Sequence, residues 1–270
     1  MKIKYLILFF FFAYNFFSQE NCNIYTTDAN KFKACDYYNR AIEYPQGSVN
    51  SQLLFDSAIA IYPTYAIAYY EKSVPYSKRG YFNEGITILS KAVELEPMNY
   101  LHYRAAWYYT LLDYTKCKND LEEYYKLKNN IDVGTPGGEF DMRVLLGVCY
   151  FELGEPVKGI EIIKSRINTY KNKDQIRLYD YLILGILQLK NNQPNDAISS
   201  FKQEMKYCKN YLDTHYYLGL AFKAKHNYKK SKKNFKIAND MFKSGKWSKR
   251  DLPYPVYLSD IERELSLLNK

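Results

Sequence analysis

Three histidines, five cysteines and several paired acids are the side chains through which this sequence could carry out covalent or metal chemistry. Imidazole is the usual base and metal ligand near neutral pH, and a thiolate is the usual soft nucleophile. His102, His215 and His226 stand apart in the chain, with no spacing that would set two imidazoles on one helix face. The phosphate-loop motif G-x-x-x-x-G-K-S/T is absent, as are G-x-G-x-x-G, H-E-x-x-H and G-x-S-x-G. Cys117 and Cys149 read as core thiols, because an unbonded cysteine is commonly a small buried hydrophobe. Glu122-Glu123 reads as solvated charge on a helix flank. No catalytic residue, metal ligand or cofactor is therefore expected, and an enzyme is disfavoured. Cys22 and Cys35, 13 residues apart, could bond in an oxidising compartment and tie an N-terminal arm to the first helix, or stay as two thiols.

Charge offers a second kind of chemistry. Residues 202–250 hold 14 Lys or Arg against Glu204, Asp213 and Asp240, whereas the whole chain is only +9. Lys229, Lys230, Lys233 and Lys236 form the centre of this basic run. Such a patch either is a solvated face or attracts a polyanion: nucleic acid, anionic lipid or an anionic envelope polymer.

The elements that position these residues are set by the rest of the chain. It has 270 residues and 32.0 kDa, 47% hydrophobic and 25% charged, with a mean hydropathy of -0.46. Those values are globular, and they exclude a disordered chain, a collagen and a polytopic membrane protein. Tyrosine is unusually abundant, at 30 residues; Tyr, Lys, Asn and Phe all have AT-rich codons, so base composition explains it. Met1-Lys2-Ile3-Lys4 followed by a nearly apolar run to Phe17 has the basic start and apolar core of a secretory signal, with cleavage expected near Ser18–Gln19. The run is short for a membrane span, which wants about 20 apolar residues. An uncleaved anchor and a lipid on Cys22 are the alternatives. The mature chain is expected to be exported, periplasmic or secreted, with no integral span.

Internal repeats dominate the mature chain. Leu146-Gly147-Val148-Cys149-Tyr150, Leu184-Gly185-Ile186-Leu187-Gln188 and Leu218-Gly219-Leu220-Ala221-Phe222 align, each succeeded by a polar turn and a second apolar helix pattern. The second helices carry Gly159…Ile163, Ala197…Phe201 and Phe235…Ala238 in equivalent places. Earlier copies hold Tyr69…Tyr76 with Gly85…Leu89…Ala92 and Pro97, Ser51…Phe55…Ala58 with Pro63, and Tyr103…Trp107 with Cys117…Leu121…Tyr124. The pattern resembles the tetratricopeptide repeat, W-x2-L-G-x2-Y, then A-x3-F, then P. Six units beginning near residues 32, 66, 100, 140, 178 and 212 make residues 32–245 a solenoid. Residues 1–18 are the signal, 19–31 an N-terminal arm, and 246–270 a linker and capping helix.

The resemblance implies an all-α fold: a right-handed α-solenoid of about six helical hairpins, about 13 helices with the cap. Gly147, Gly185, Gly219, Ala92 and Ala197 are expected where helix backbones approach, with Phe55, Phe201 and Phe235 filling the space between stacked hairpins. Cys149 and Cys117 fall at small, buried repeat positions. Gly154 should end one helix in the left-handed region, and Pro156 should open the next. Pro75 should bend or shorten its helix. Residues 129–138 should form an inserted loop. Ser259 with Glu262 has the spacing of a capping box for a last helix from Leu258 to Leu268, with Ile261, Leu265 and Leu268 on its apolar face.

The resemblance also implies where a partner would meet the chain. First helices of such units line a concave groove, and the matching positions here include Tyr70, Arg104, Tyr108, Phe151, Tyr179, Leu182 and Tyr216. That stripe is apolar and aromatic; Arg104 is nearly its only cation, so it does not suit a clamp for carboxylate tails. If open, it suits an apolar helix or extended peptide. If the superhelix packs tightly, the same stripe is buried. The leading reading is thus a non-catalytic scaffold binding a protein or peptide in the groove. The second is an envelope module adhering to anionic polymers or lipids through residues 202–250; export argues against nucleic acid. A hydrolase with an unrecognised site is a third, weaker reading.

Overall fold

Five inner turns close with the same backbone device. Gly80, Leu112, Gly154, Asn192 and His226 all lie in the left-handed region, with φ between 55° and 88°. In each, this residue's N–H bonds the carbonyl three residues back, and the next N–H bonds the carbonyl five back. Examples are Asn192 N–H to Leu189 and Gln193 N–H to Gln188 at 3.1 and 2.8 Å. These bonds satisfy carbonyls that a helix end would otherwise leave open. Glycine, asparagine and histidine suit such a position; Leu112 adopts it although its side chain is 65% exposed.

A computed structural model describes residues 19–127, 133–134, 141–172, 175–207, 211–245 and 253–268. Among them are thirteen α-helices, one short 3-10 helix and no strand; one antiparallel bridge joins Gly134 to Asp141. The chain divides into two compact units, Met1–Glu96 and Pro97–Lys270. The first holds α1 (Ala29–Glu43), α2 (Val49–Ile61), α3 (Ala66–Lys78) and α4 (Phe82–Leu95), which pair as α1·α2 and α3·α4. Its core gathers Cys35, Tyr38, Phe55, Ala58 and Tyr65. The second holds α5 (Pro97–Thr110), α6 (Tyr114–Leu127), α7 (Met142–Glu152), α8 (Pro156–Asn168), α9 (Asp180–Lys190), α10 (Pro194–Tyr207), α11 (Leu212–Ala224), α12 (Tyr228–Lys243) and α13 (Leu258–Leu267). Each odd helix from α5 to α11 pairs with the next, each such pair packs on its successor, and α13 packs on α12.

The small residues work differently from the expectation. A methyl added at Gly185 would sit 2.5 Å from the Phe201 ring, and one at Gly219 would sit 2.7 Å from the Phe235 ring. The space is therefore filled by a ring of the second helix in the same hairpin, not by a second backbone. Backbones do approach at Gly147 and Gly159, where an added methyl on either would strike the other's carbonyl. There Ile163 stands where the later hairpins have phenylalanine, so two glycines bring the helices closer.

Pro75 does not shorten α3, which continues to Lys78. Its ring is buried, and it packs against Gly47 in the α1–α2 turn (φ +77°), where an added methyl would lie 2.6 Å from the proline Cβ. Arg79 then donates to the Gly47 carbonyl at 3.0 Å. Pro156 opens α8 as expected. The cap of α13 falls two residues earlier than Ser259: Tyr257 is the N-cap, and its N–H donates to Asp260 at 3.1 Å. Ile261 is fully buried among Leu212, Tyr216, Phe235 and Val256, with Leu265 and Leu268 partly buried beside it. Burial of such a side chain contributes about 1.5–3 kcal/mol, and it covers the last hairpin as a solenoid end requires.

Residues 1–18, and with them the expected signal, lie outside the described residues, as does Phe140 at the expected start of the fourth unit. Of the expected inserted loop, Val133 and Gly134 are described. The Val133 carbonyl accepts from Met142 N–H at 2.9 Å, and Gly134 lies under the Arg177 guanidinium. No helix among the described residues is long and apolar enough to cross a membrane.

Candidate functional site

The side chains with covalent or metal chemistry are dispersed and engaged. His102 packs on Tyr103 and Tyr124 with ring centroids 4.0 and 5.3 Å away. His215 is buried, Nδ1 facing Asn234 at 3.2 Å, and burial pushes its pKa below the usual imidazole range. His226 forms the α11–α12 turn. Cys117 and Cys149 are buried beside each other, and burial pushes the Cys117 thiol up, away from nucleophilic thiolate. Glu122 is not plain solvated charge: it accepts the Tyr150 hydroxyl from α7. Among the described residues no three His, Cys, Asp or Glu are grouped to hold a metal.

One polar cluster had no sequence signal. Asp141 and Asp180 are fully buried, and Arg166 reaches Asp141 at 2.9 Å and Thr169 at 2.8 Å. Asp180 accepts from the Tyr170 hydroxyl and from Arg177 N–H at 3.2 Å; burial raises its pKa against these bonds. The cluster joins the start of α7, the end of α8 and the start of α9. A cleft of about 980 Å³ beside it is lined by Tyr125, Arg143, Lys158, Arg166 and Lys171. Arg166 is paired with Asp141, and Arg143 and Lys158 lie over the Tyr125 and Tyr150 rings at 4.4 and 3.9 Å. These three cations of the cleft are thus already engaged.

The expected groove residues divide into three groups. Tyr179, Leu182 and Tyr216 are buried. Leu182 is core, Tyr179 meets Tyr211 edge-on at 6.0 Å, and Tyr216 packs on Phe235 at 5.7 Å beside Val256 and Ile261. Packing of successive hairpins and of α13 closes these positions, so they line no open surface. Arg104 binds Asp120 through two 2.8 Å hydrogen bonds. Tyr70, Tyr108 and Phe151 remain half-buried, Tyr108 flanked by Arg104 at 5.8 Å and Lys116 at 5.3 Å.

The first-helix face of the second unit is not empty. Residues 253–257, a strap leading into α13, lie across α7, α9 and α11. The Tyr254 hydroxyl donates to Glu152 at 2.5 Å, Lys190 sits over the Tyr254 ring at 4.2 Å, and the Tyr217 hydroxyl donates to the Tyr254 carbonyl at 3.0 Å. Lys190 also pairs with Glu152 at 2.7 Å and lies 5.4 Å from the Phe151 ring. Val256 is buried, whereas Pro255 and Tyr257 are exposed. Burial, then the Glu152 bond and the neighbouring Tyr109 and Tyr114, pushes the Tyr254 phenol far above its usual range. The Tyr109 hydroxyl is buried with no hydrogen-bond partner among the described residues.

The two other sets of expected residues stand at the surface and at the N-terminus. Lys229, Lys230, Lys233 and Lys236 are all exposed on α12. No carboxylate pairs with them among the described residues, and Lys230 reaches the Phe222 ring at 5.4 Å. Cys22, in a short 3-10 helix (Cys22–Tyr25), is bonded to Cys35 of α1. Around it Glu20 accepts from Tyr65 and, at 2.9 Å, from Tyr25, while its N–H donates to Asn39 at 2.9 Å. Burial and then the Glu20 bond push the Tyr25 phenol up to about 12.

Among solved structures, a crystal structure of YrrB, described as a TPR protein with an unusual peptide-binding site, is 17% identical. It covers 69% of this chain and 91% of its own, with a TM-score of 0.53. MamA from Desulfovibrio magneticus RS-1 (residues 41 to the end) is 15% identical, covering 66% and 96%, at 0.57. The Cut9–Hcn1 hetero-tetramer of the APC/C is 13% identical, covering 92% of this chain and 45% of that one, at 0.61. These likenesses show the fold: an all-α array of tetratricopeptide-type hairpins. No family model matches the chain, and no curated protein does.

Proposed function

We propose that the chain is an exported, non-catalytic scaffold that binds a protein or peptide partner on the first-helix face of its repeats. The observation that carries this is the strap: a stretch of polypeptide outside any helix, bent at Pro253 and Tyr254, already rests across α7, α9 and α11, held by an acid, a lysine and a tyrosine. A surface able to hold one non-helical segment has the groups to hold another. Half-buried Phe151 beside it and half-buried Tyr108 on α5 add aromatic surface of the kind found at binding hot spots. The YrrB likeness supports the reading through its described peptide-binding site. Export is supported by the basic and apolar start of the sequence and by the Cys22–Cys35 bond, which suits an oxidising compartment.

A second reading rests on the four exposed lysines of α12, which would adhere to an anionic envelope polymer or lipid. Capture from envelope fractions at low and high salt separates the two. Partner capture through the repeat face should survive high salt and fall in Phe151→Ala. Capture lost in high salt and in the Lys229→Ala/Lys233→Ala variant, but kept in Phe151→Ala, would replace the first reading with the second.

A further inference from the structure

The strap has the features of a ligand rather than of a mere connection. One hydroxyl meets an acid, one ring meets an ammonium, one carbonyl meets a phenol, and Val256 two residues on enters an apolar site. Tyr254, at a bend of the strap, and Val256 two residues on both meet the helices, while Pro255 between them is exposed. Prolines flank Tyr254 on both sides, so neither neighbour has an N–H that needs a partner, and their fixed φ limits the conformations open to the segment before docking.

The strap is also an imperfect occupant. Pro255 and Tyr257 are exposed, and the buried Tyr109 hydroxyl gains no acceptor from it. Meanwhile α13 has its own attachments: Ile261 in the core, and Lys223–Glu264 and Lys243–Glu262 ion pairs. Its docking therefore does not depend on Tyr254.

We propose that residues 253–257 are a built-in competitor for the partner site. A partner binds the second unit by displacing them, using a segment with tyrosine flanked by proline and an aliphatic residue two positions on. This rests on the scaffold reading above and adds to it the chemistry of the partner and the control of the site. The partner's tyrosine takes the place of Tyr254 on Glu152 and Lys190, and a carbonyl of the incoming chain supplies the acceptor that Tyr109 lacks. A tethered strap competes at an effective concentration of about a millimolar. Free segments therefore bind the resting chain weakly and bind a chain with a loosened strap well.

The test uses a labelled peptide with the sequence of residues 251–258, Asp-Leu-Pro-Tyr-Pro-Val-Tyr-Leu, and fluorescence anisotropy on the full chain. Tyr254→Ala/Val256→Ala should bind it at least tenfold more tightly than the unaltered chain. Adding Glu152→Ala to that variant should remove at least tenfold, and phenylalanine at the peptide's first tyrosine about fivefold. Circular dichroism and melting monitor the fold. Should the double variant lose helix, Tyr254→Phe, which removes only the hydroxyl, must show tighter binding in the same direction, about threefold. Equal affinity for the unaltered and loosened chains, or no binding to either when both are folded, overturns the proposal. Capture from envelope fractions keeps the two claims apart. A partner captured equally by both chains, with no competition from the peptide, leaves the scaffold and removes the competitor. Peptide competition as expected, with no partner captured by either chain, leaves the competitor and removes the scaffold.

Discussion

Both described ends of the chain fold back on helical hairpins, but they are held by different chemistry. At the N-terminal end a disulfide joins Cys22 to α1, and Glu20 gathers Tyr25, Tyr65 and Asn39 around it. At the C-terminal end no covalent bond holds the strap. One hydroxyl on Glu152, one cation over a ring, one phenol on a carbonyl and the burial of Val256 keep it in place. The first attachment is permanent wherever thiols stay oxidised. The second is reversible in the range of ordinary binding energies. A repeat array must cover its terminal faces, and these two ends show that the cover can be a lock or a latch.

The largest effect that would break this contrast lies at the disulfide. Reduction, or Cys22→Ala with Cys35→Ala, should cost about 3 kcal/mol for a closed loop of this length, read in urea unfolding of the oxidised and reduced chain. An unchanged midpoint would mean that the Glu20 contacts alone hold the arm, making both ends latches. Next comes Ile261→Ala, which empties the site where α13 enters the core. About 2 kcal/mol is expected, at the low end for such a change because a ten-residue helix can detach before the rest unfolds. Protease cleavage confined to residues after 245 would report that detachment.

Smaller still is Tyr254→Phe. Loss of one hydrogen bond to a carboxylate that keeps its lysine should cost about 1 kcal/mol, with faster amide exchange at Val256 and none of the change at Glu20. The smallest effect is a titration. Burial, which alone would raise the Glu152 pKa, is outweighed by the bonds from Lys190 and Tyr254, so it lies below the usual 4.5. A carboxylate lowered in this way supports the strap above the unfolded-state value and loses that support as pH falls through the folded one. The amide shifts of Tyr254 and Val256 should therefore titrate with a midpoint below 4.5. Glu152→Gln should abolish the titration.

The repeat pattern carried the hairpins because it is local. Leu-Gly with a polar turn and then Ala or Phe at helical spacing fixes a hairpin within about 34 residues, and the helices fall where those residues put them. The turns were legible where chemistry marks them, as at Gly154-Glu155-Pro156, and silent at Leu112, whose type argues against the left-handed backbone it adopts. The surface was harder to read, since it depends on what stacks against it. Tyr179, Leu182 and Tyr216 occupy first-helix positions that the family presents to a groove, yet neighbouring hairpins and α13 bury them. Tyr254 was the least legible of all. It is one tyrosine among 30, in a stretch without periodicity, and its acceptor lies 102 residues earlier. The buried pair Asp141 and Asp180 was hidden for the same reason, because each carboxylate finds its partners through the fold and not along the chain.

The latch also has a place in time. Glu152, Lys190 and Tyr217 are all synthesised before Tyr254, and α12 is complete at Lys243. At a usual elongation rate the ribosome needs roughly a second to add the residues from there to the strap. In N-to-C emergence the groups that receive the strap therefore come out before it does. A partner waiting where the chain emerges would meet those groups before the strap does, whereas one encountered later would have to evict a resident.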